Sequence, residues 1–214
     1  LAAERKPLSE VDPDQLMKDL IVFPKGTGDG HSAVVWWLPS EAWKVFFAHD
    51  TTSSESVQQM IEEVFSGVSI LGVSHADIGT LGALDFYSKE EIKNNMLVFY
   101  SDFRDKRQRL SLRKTFNPDL EIFLAMFKPV MESAGRFGTS VHFFVINDQS
   151  NSSRVVDPYR EGKLEIQLMR RDGVLMTATI EMPLNSLFVP RICPTGKEAH
   201  VSWNYCPWTG EPLE

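Results

Sequence analysis

A chain of 214 residues with 43% hydrophobic and 24% charged side chains has the composition of an ordinary globular domain. At this size folding removes roughly 70% of the unfolded surface from water, so a core forms without metals or many disulfides. The net charge of −7 argues against a general nucleic-acid binder and against whole-surface adhesion to anionic lipid. No apolar run approaches the roughly 20 residues of a membrane-crossing helix.

Leu1-Ala2-Ala3 followed by polar Glu4 to Pro7 reads as the small-residue end of a signal peptide, with an arbitrary start as the other reading. Residues 1–11 carry too little apolar material to order alone, and are expected as a flexible segment. Asp12-Pro13 supplies an N-cap and first helical residue for a short helix through Leu16, Met17 and Leu20. Pro24 to Gly30 is a glycine-rich loop without the Gly-Lys-Ser/Thr ending of a phosphate-binding loop. Ala33 to Leu38 is a continuous apolar run, hence a buried strand. A helix opens after Pro39 through Trp43, Phe46 and Phe47. A second, capped by Ser54 or Ser56, sets Val57, Met60, Ile61, Val64 and Phe65 on one face.

Val68–Val73 and Ala83–Tyr87 read as strands flanking a loop, Ser74 to Gly82. Ser88 to Glu91 matches a capping box. Met96–Tyr100 and Gln108–Lys114 read as an antiparallel pair. Asn117-Pro118 opens an amphipathic helix with Leu120, Phe123, Leu124, Phe127 and Val130 inward, ended or kinked by Pro129. Thr139 to Ile146 is a strand, and Asp148 to Ser153 a polar loop.

Lys163 to Glu181 reads as a hairpin. A three-residue loop, Arg171-Asp172-Gly173, pairs Leu168 with Met176 and Ile166 with Ala178, so both apolar rows share one face. That loop requires Gly173 in the left-handed region. Hairpins without regular βαβ alternation predict one α+β domain, with a largely antiparallel sheet and two main amphipathic helices over residues 12–190.

Residues 191–214 form a cysteine tail. Cys193-Pro194-Thr195-Gly196 and Cys206-Pro207-Trp208-Thr209-Gly210 resemble the two knuckles of a zinc ribbon, each lacking its second cysteine. The resemblance covers about a tenth of the chain and implies facing sulfurs, hence a Cys193–Cys206 disulfide closing a loop with twelve residues between. Such a bond contributes about 3 kcal/mol in the chain-entropy model and persists in an oxidising compartment. The alternatives are a metal site of Cys193, His200 and Cys206, short of the four ligands structural zinc needs, and two buried free thiols in a cytoplasmic protein.

His75 and Asp77, two apart, are candidates for metal binding or acid–base work, since an extended segment points both to one side. His49 and Asp50 could join them. His142, within Val-His-Phe-Phe-Val, reads as a sheet-face histidine. Arg107, Arg109 and Arg113 share one strand face and form a candidate docking patch for an acidic protein or envelope component, or else a charged edge strand. Trp36, Trp37, Trp43, Phe46 and Phe47 read as core. Trp203, Tyr205 and Trp208 are either anchors for a partner or packed against the body. Asn151 to Ser153 matches the glycosylation pattern. The motifs of serine hydrolases, zinc proteases and β-lactamases are absent, and nothing specifies a nucleotide or redox cofactor. The combined expectation is an exported, non-catalytic binding or accessory protein of the cell envelope. The alternative is a metal-assisted enzyme built on His75 and Asp77.

Overall fold

The computed structural model describes residues 3–25, 30–48, 55–115, 117–133, 135–150 and 153–213. The fold is α+β with antiparallel pairing throughout, as the hairpin-rich sequence predicts. Asp12 accepts the Asp14 N–H at 2.9 Å and Pro13 takes the first position of α1 (Pro13–Leu20). β1 (Ile21–Val22) and β2 (His31–Leu38) pair antiparallel. The helices α2 (Ser40–Ala48) and α3 (Glu55–Val64) follow. Ile61, Val64 and Phe65 are buried as the helical spacing requires, while Met60 lies exposed at the edge of the stripe.

The first departure comes next. β3 (Val68–Ile78) is one 11-residue strand running straight through the segment expected as a loop. β2 pairs with residues 70–77 and β4 with residues 76–78, and pairing outweighs the weak β-propensity of His75 and Asp77. β2 covers one edge of β3. The other edge is shared between β4 (Leu84–Phe86) and β7 (His142–Asn147). The capping box forms as expected at α4 (Lys89–Asn94), where Glu91 N–H donates to Ser88 Oγ and Ser88 N–H to the Glu91 carboxylate.

β5 (Met96–Asp102) and β6 (Arg107–Leu110) pair with the hairpin strands β10 (Gly162–Met169) and β11 (Leu175–Met182) in the order β11-β10-β5-β6. Leu168 faces Met176 and Ile166 faces Ala178, and Gly173 has φ of 85°, so the three-residue loop is confirmed. α5 (Pro118–Glu132) and the short α6 (Arg136–Thr139) precede β7, which therefore starts three residues later than the apolar pattern suggests. On α5 the buried stripe is Leu120, Leu124 and Met131, with Val130 left 59% exposed. Spacings of four and seven from Leu124 place Met131, not Val130, over the core. The helix runs on through Pro129 and ends within a turn of it.

The two sheets are joined along both free edges. Lys25 and Thr177 exchange N–H···O bonds of 2.8 and 3.2 Å between the end of β1 and β11. Leu112, just past β6, bridges to Ile146 of β7. The strands thus follow a circuit closed by single bridges, with most of the outer edge of β11 outside any ladder, and the buried residues form one continuous core. Within that core Trp43 packs on Phe65, Phe123 and Phe127 at centroid distances of 5.1, 4.8 and 4.6 Å, joining α2 and α5. Residues 3–11 do not stand alone: Lys6 and Val189 N–H groups tie this segment to the chain around Phe188, and Val11 is fully buried.

A short ladder between β7 and β10 pairs β8 (Gln149–Ser150) with β9 (Ser153–Arg154). In the tail β12 (Arg191–Ile192) pairs with β13 (Glu198–Ala199). Cys193, Ala199, Cys206 and Leu213 form a small core separate from the main one.

Candidate metal centre

The register of β2 on β3 places Asp77 opposite His31 and His75 opposite Ala33. Residues directly opposite share a face, as do residues two apart, so His31, His75 and Asp77 project together. β4 adds a third strand to these rows: Asp85 lies opposite Asp77, and Tyr87 N–H donates to His75 C=O at 2.8 Å. One ligand atom from each of His31, His75 and Asp77 falls within 4.8 Å of the others, the only such group of three among the described residues.

His75 is 1% exposed and its ring stacks on Tyr87, centroids 3.7 Å apart. Its Nε2 is buried without a hydrogen-bond partner. Burial is the main cause that lowers its pKa to about 4, against the nearby Asp77 charge, so the ring is neutral at pH 7. His31 Nδ1 sits 2.8 Å from Asp77 Oδ1 yet makes no hydrogen bond in line with its ring N–H direction.

The β10–β11 turn covers this corner. Arg171 lies over the Tyr87 ring at 4.1 Å, and its guanidinium reaches Asp77 (2.9 Å), Asp85 (2.7 Å) and Glu91 (3.0 Å). Its own N–H donates to Tyr87 Oη, which in turn donates to Asp77 Oδ1 at 3.0 Å. Burial alone would raise the Asp77 pKa, but the hydrogen bonds from Tyr87 and Arg171 outweigh it and hold the carboxyl ionised. Arg171, followed by Ser88, lowers Glu91 to about 2. Asp172 pairs with Arg170 and lies 3.8 Å from His31 Nε2. Four carboxylates thus surround two guanidiniums, a surplus of negative charge that favours a cation.

Two imidazoles and one carboxylate form a ligand set for borderline divalent ions such as zinc. A tetrahedral ion with bonds of about 2.0–2.1 Å holds its ligand atoms about 3.3 Å apart. The 4.8 Å spread needs only a small inward movement. The Tyr87 and Arg171 hydrogen bonds orient Asp77 as outer partners of metal ligands do.

Other candidates fare differently. His49 and Asp50, and likewise Asn151 and Ser152, lie outside the described residues. The arginine row is broken because β6 ends at Leu110. Arg107 pairs with Glu165 and stacks on Phe99, and Arg113 donates to Asn147 and to the Gly67 carbonyl; Arg109 is exposed on an edge strand. His142 is half-buried on β7. Trp36, Trp37 and Trp43 are core, and Trp36 and Trp43 also line an apolar groove of about 590 Å³ with Met17, Phe46 and Phe127. Trp203, Tyr205 and Trp208 stand 42%, 63% and 50% exposed, so packing against the body does not hide them.

The expected disulfide is not formed. Cys193 and Cys206 are buried free thiols in one small core, not at disulfide distance from each other. His200 does not complete a ligand group with them among the described residues; its Nδ1 contacts Ser202 Oγ at 2.7 Å.

Sequence reasoning found His75 and Asp77 but not His31, Tyr87 or Arg171. The apolar run starts at Ala33, so His31 reads as loop until strand pairing carries β2 two residues further back. A His-x-Asp strand facing a strand that begins with His was the available signal. Comparison with protein-family models, with curated proteins and with solved structures finds no match for this chain.

Proposed function

We propose that this protein binds a divalent first-row transition-metal ion of the zinc class through His31, His75 and Asp77, and works as a metal-loaded binding or accessory module. The observation that carries the reading is His75, whose buried Nε2 has no hydrogen-bond partner and whose ring offers a ligand atom within 4.8 Å of those of His31 and Asp77. An unpaired polar atom in a core costs about 1–3 kcal/mol. A ligand that accepts its lone pair removes that cost, and the neutral state of the ring leaves the lone pair available.

Three protein ligands leave a coordination position for water, the arrangement used when zinc activates water for hydrolysis. Metal-assisted hydrolysis is therefore the second reading. Export is no part of this proposal, because the cysteines that argued for an oxidising compartment stand as thiols in the structure.

Equilibrium dialysis of the full chain against zinc, with metal analysis, tests the binding. One equivalent is expected for the wild type and none for His75→Phe or Asp77→Asn. Equal binding by those variants, or none by the wild type, would overturn the proposal. Zinc-dependent cleavage of an activated ester, lost in Asp77→Asn, would favour the hydrolytic reading.

A further inference from the structure

The tail places its two cysteines in matching positions. Cys193 opens a turn in which Gly196 N–H donates to Cys193 C=O and Cys193 N–H to Lys197 C=O, both at 2.8 Å. Cys206 opens a second turn, with Gly210 N–H donating to Cys206 C=O at 2.8 Å and Cys206 N–H to Glu211 C=O at 2.7 Å. Gly196 and Gly210 both have positive φ, of 78° and 74°, where a side chain would be strained. The first turn closes the β12–β13 ladder and the second the Tyr205–Pro212 bridge, and both cysteines are buried in the same small core with Ala199 and Leu213.

We propose that Cys193 and Cys206 form a two-sulfur site for a soft monovalent d10 cation of the copper(I) class. Zinc is a poor match, since it takes four ligands in structural sites and no third His, Cys, Asp or Glu ligand atom joins this pair among the described residues. Soft thiolates select copper(I), and a d10 monovalent ion accepts two ligands in line. Two such metal–sulfur bonds span roughly 4–4.5 Å, well beyond the roughly 2.05 Å of a disulfide, which suits two thiols that share a core without disulfide contact.

The surroundings of Cys206 favour a thiolate. Burial would raise its pKa, but hydrogen bonds from Cys193, the Thr209 side chain and the N–H groups of Trp208 and Thr209 bring it to about 7. Burial, and then Cys206, push Cys193 up to about 11, so at neutral pH the pair holds between one and two protons. Loading forms two sulfur–metal bonds; each S–H bond still present breaks, its proton leaves to solvent, and no oxidation state changes.

The test uses the full reduced chain under anaerobic conditions, with copper(I) supplied from a coloured competing chelator and silver(I) as a probe that does not oxidise thiols. One equivalent of either ion should bind and slow alkylation of both thiols at least tenfold. Cys193→Ser and Cys206→Ser should each abolish this, while His75→Phe should bind as the wild type does, which separates the outcome from that of the zinc site. Equal protection by zinc(II), an unchanged alkylation rate, or unchanged copper(I) binding by the double Cys→Ala variant would each overturn the proposal.

Discussion

Replacing His75 by Phe should stabilise the metal-free protein and abolish its response to metal. The ring is fully buried and stacked on Tyr87, so Phe keeps the contact while removing the unpaired Nε2. That atom costs about 1–3 kcal/mol, and the slightly larger ring costs on the order of 1 kcal/mol in repacking. The net gain is about 1 kcal/mol, which for a domain of this size raises Tm by about 2–4 °C. Thermal melts at pH 7.5 in chelator should show the variant melting above the wild type. Zinc at a hundred times its Kd should then stabilise the wild type by about 2.7 kcal/mol and leave the variant unchanged, so the order of the two melts reverses. A variant that melts well below the wild type in chelator would refute the reasoning, because it would mean that His75 makes a polar contact the protein needs.

Gly162 pairs with Asp102, and a Cβ there would lie 2.7 Å from Tyr100 Oη and 2.9 Å from the Ser101 carbonyl. Gly162→Ala should therefore cost about 2 kcal/mol or more in urea unfolding; a change below 0.5 kcal/mol would count against the observed β5–β10 spacing. Asp148 is buried and accepts from Ser69 Oγ and Val156 N–H, both at 2.6 Å, and from Arg154 at 3.3 Å. Burial raises its pKa despite these donors, and Asp148→Asn, which loses an acceptor, should cost about 1–3 kcal/mol by the same measurement. Burial, then the Glu41 charge, push Tyr159 up to about 12 from its ordinary value of 10. The folded state thus favours the neutral phenol, so its contribution is complete below pH 10 and is lost as pH rises towards 12, by up to about 2.7 kcal/mol. Tyr159→Phe should flatten the alkaline limb of the stability curve, and an unchanged limb would contradict the assignment.

Local rules carried most of the fold. The Asp12 and Ser88 caps, the strand at Ala33 to Leu38 and the register of the Leu168–Met176 hairpin follow from patterns within a few residues of each other. What was hidden depended on partners distant in the chain. Residues 74–78 looked like loop because polar side chains break the apolar run, yet β2 and β4 pair with them from both sides. The ring of strands closes through single bridges at Lys25 and Leu112, which leave no periodic trace. The site shows the same division. His75 and Asp77 were legible as a pair, but His31 arrives from 44 residues away by strand register and Arg171 from the tip of the β10–β11 hairpin. The zinc-ribbon resemblance implied that the tail cysteines come together, and both lie in one small core, whereas their bonding state was not legible.

X-ray absorption on the zinc-loaded full chain tests the central claim most directly. A first shell of nitrogen and oxygen at about 2.0–2.1 Å, with outer-shell scattering from two imidazoles, is the expected result. Sulfur at about 2.3 Å would place the ion on the tail cysteines instead and contradict the assignment of His31, His75 and Asp77.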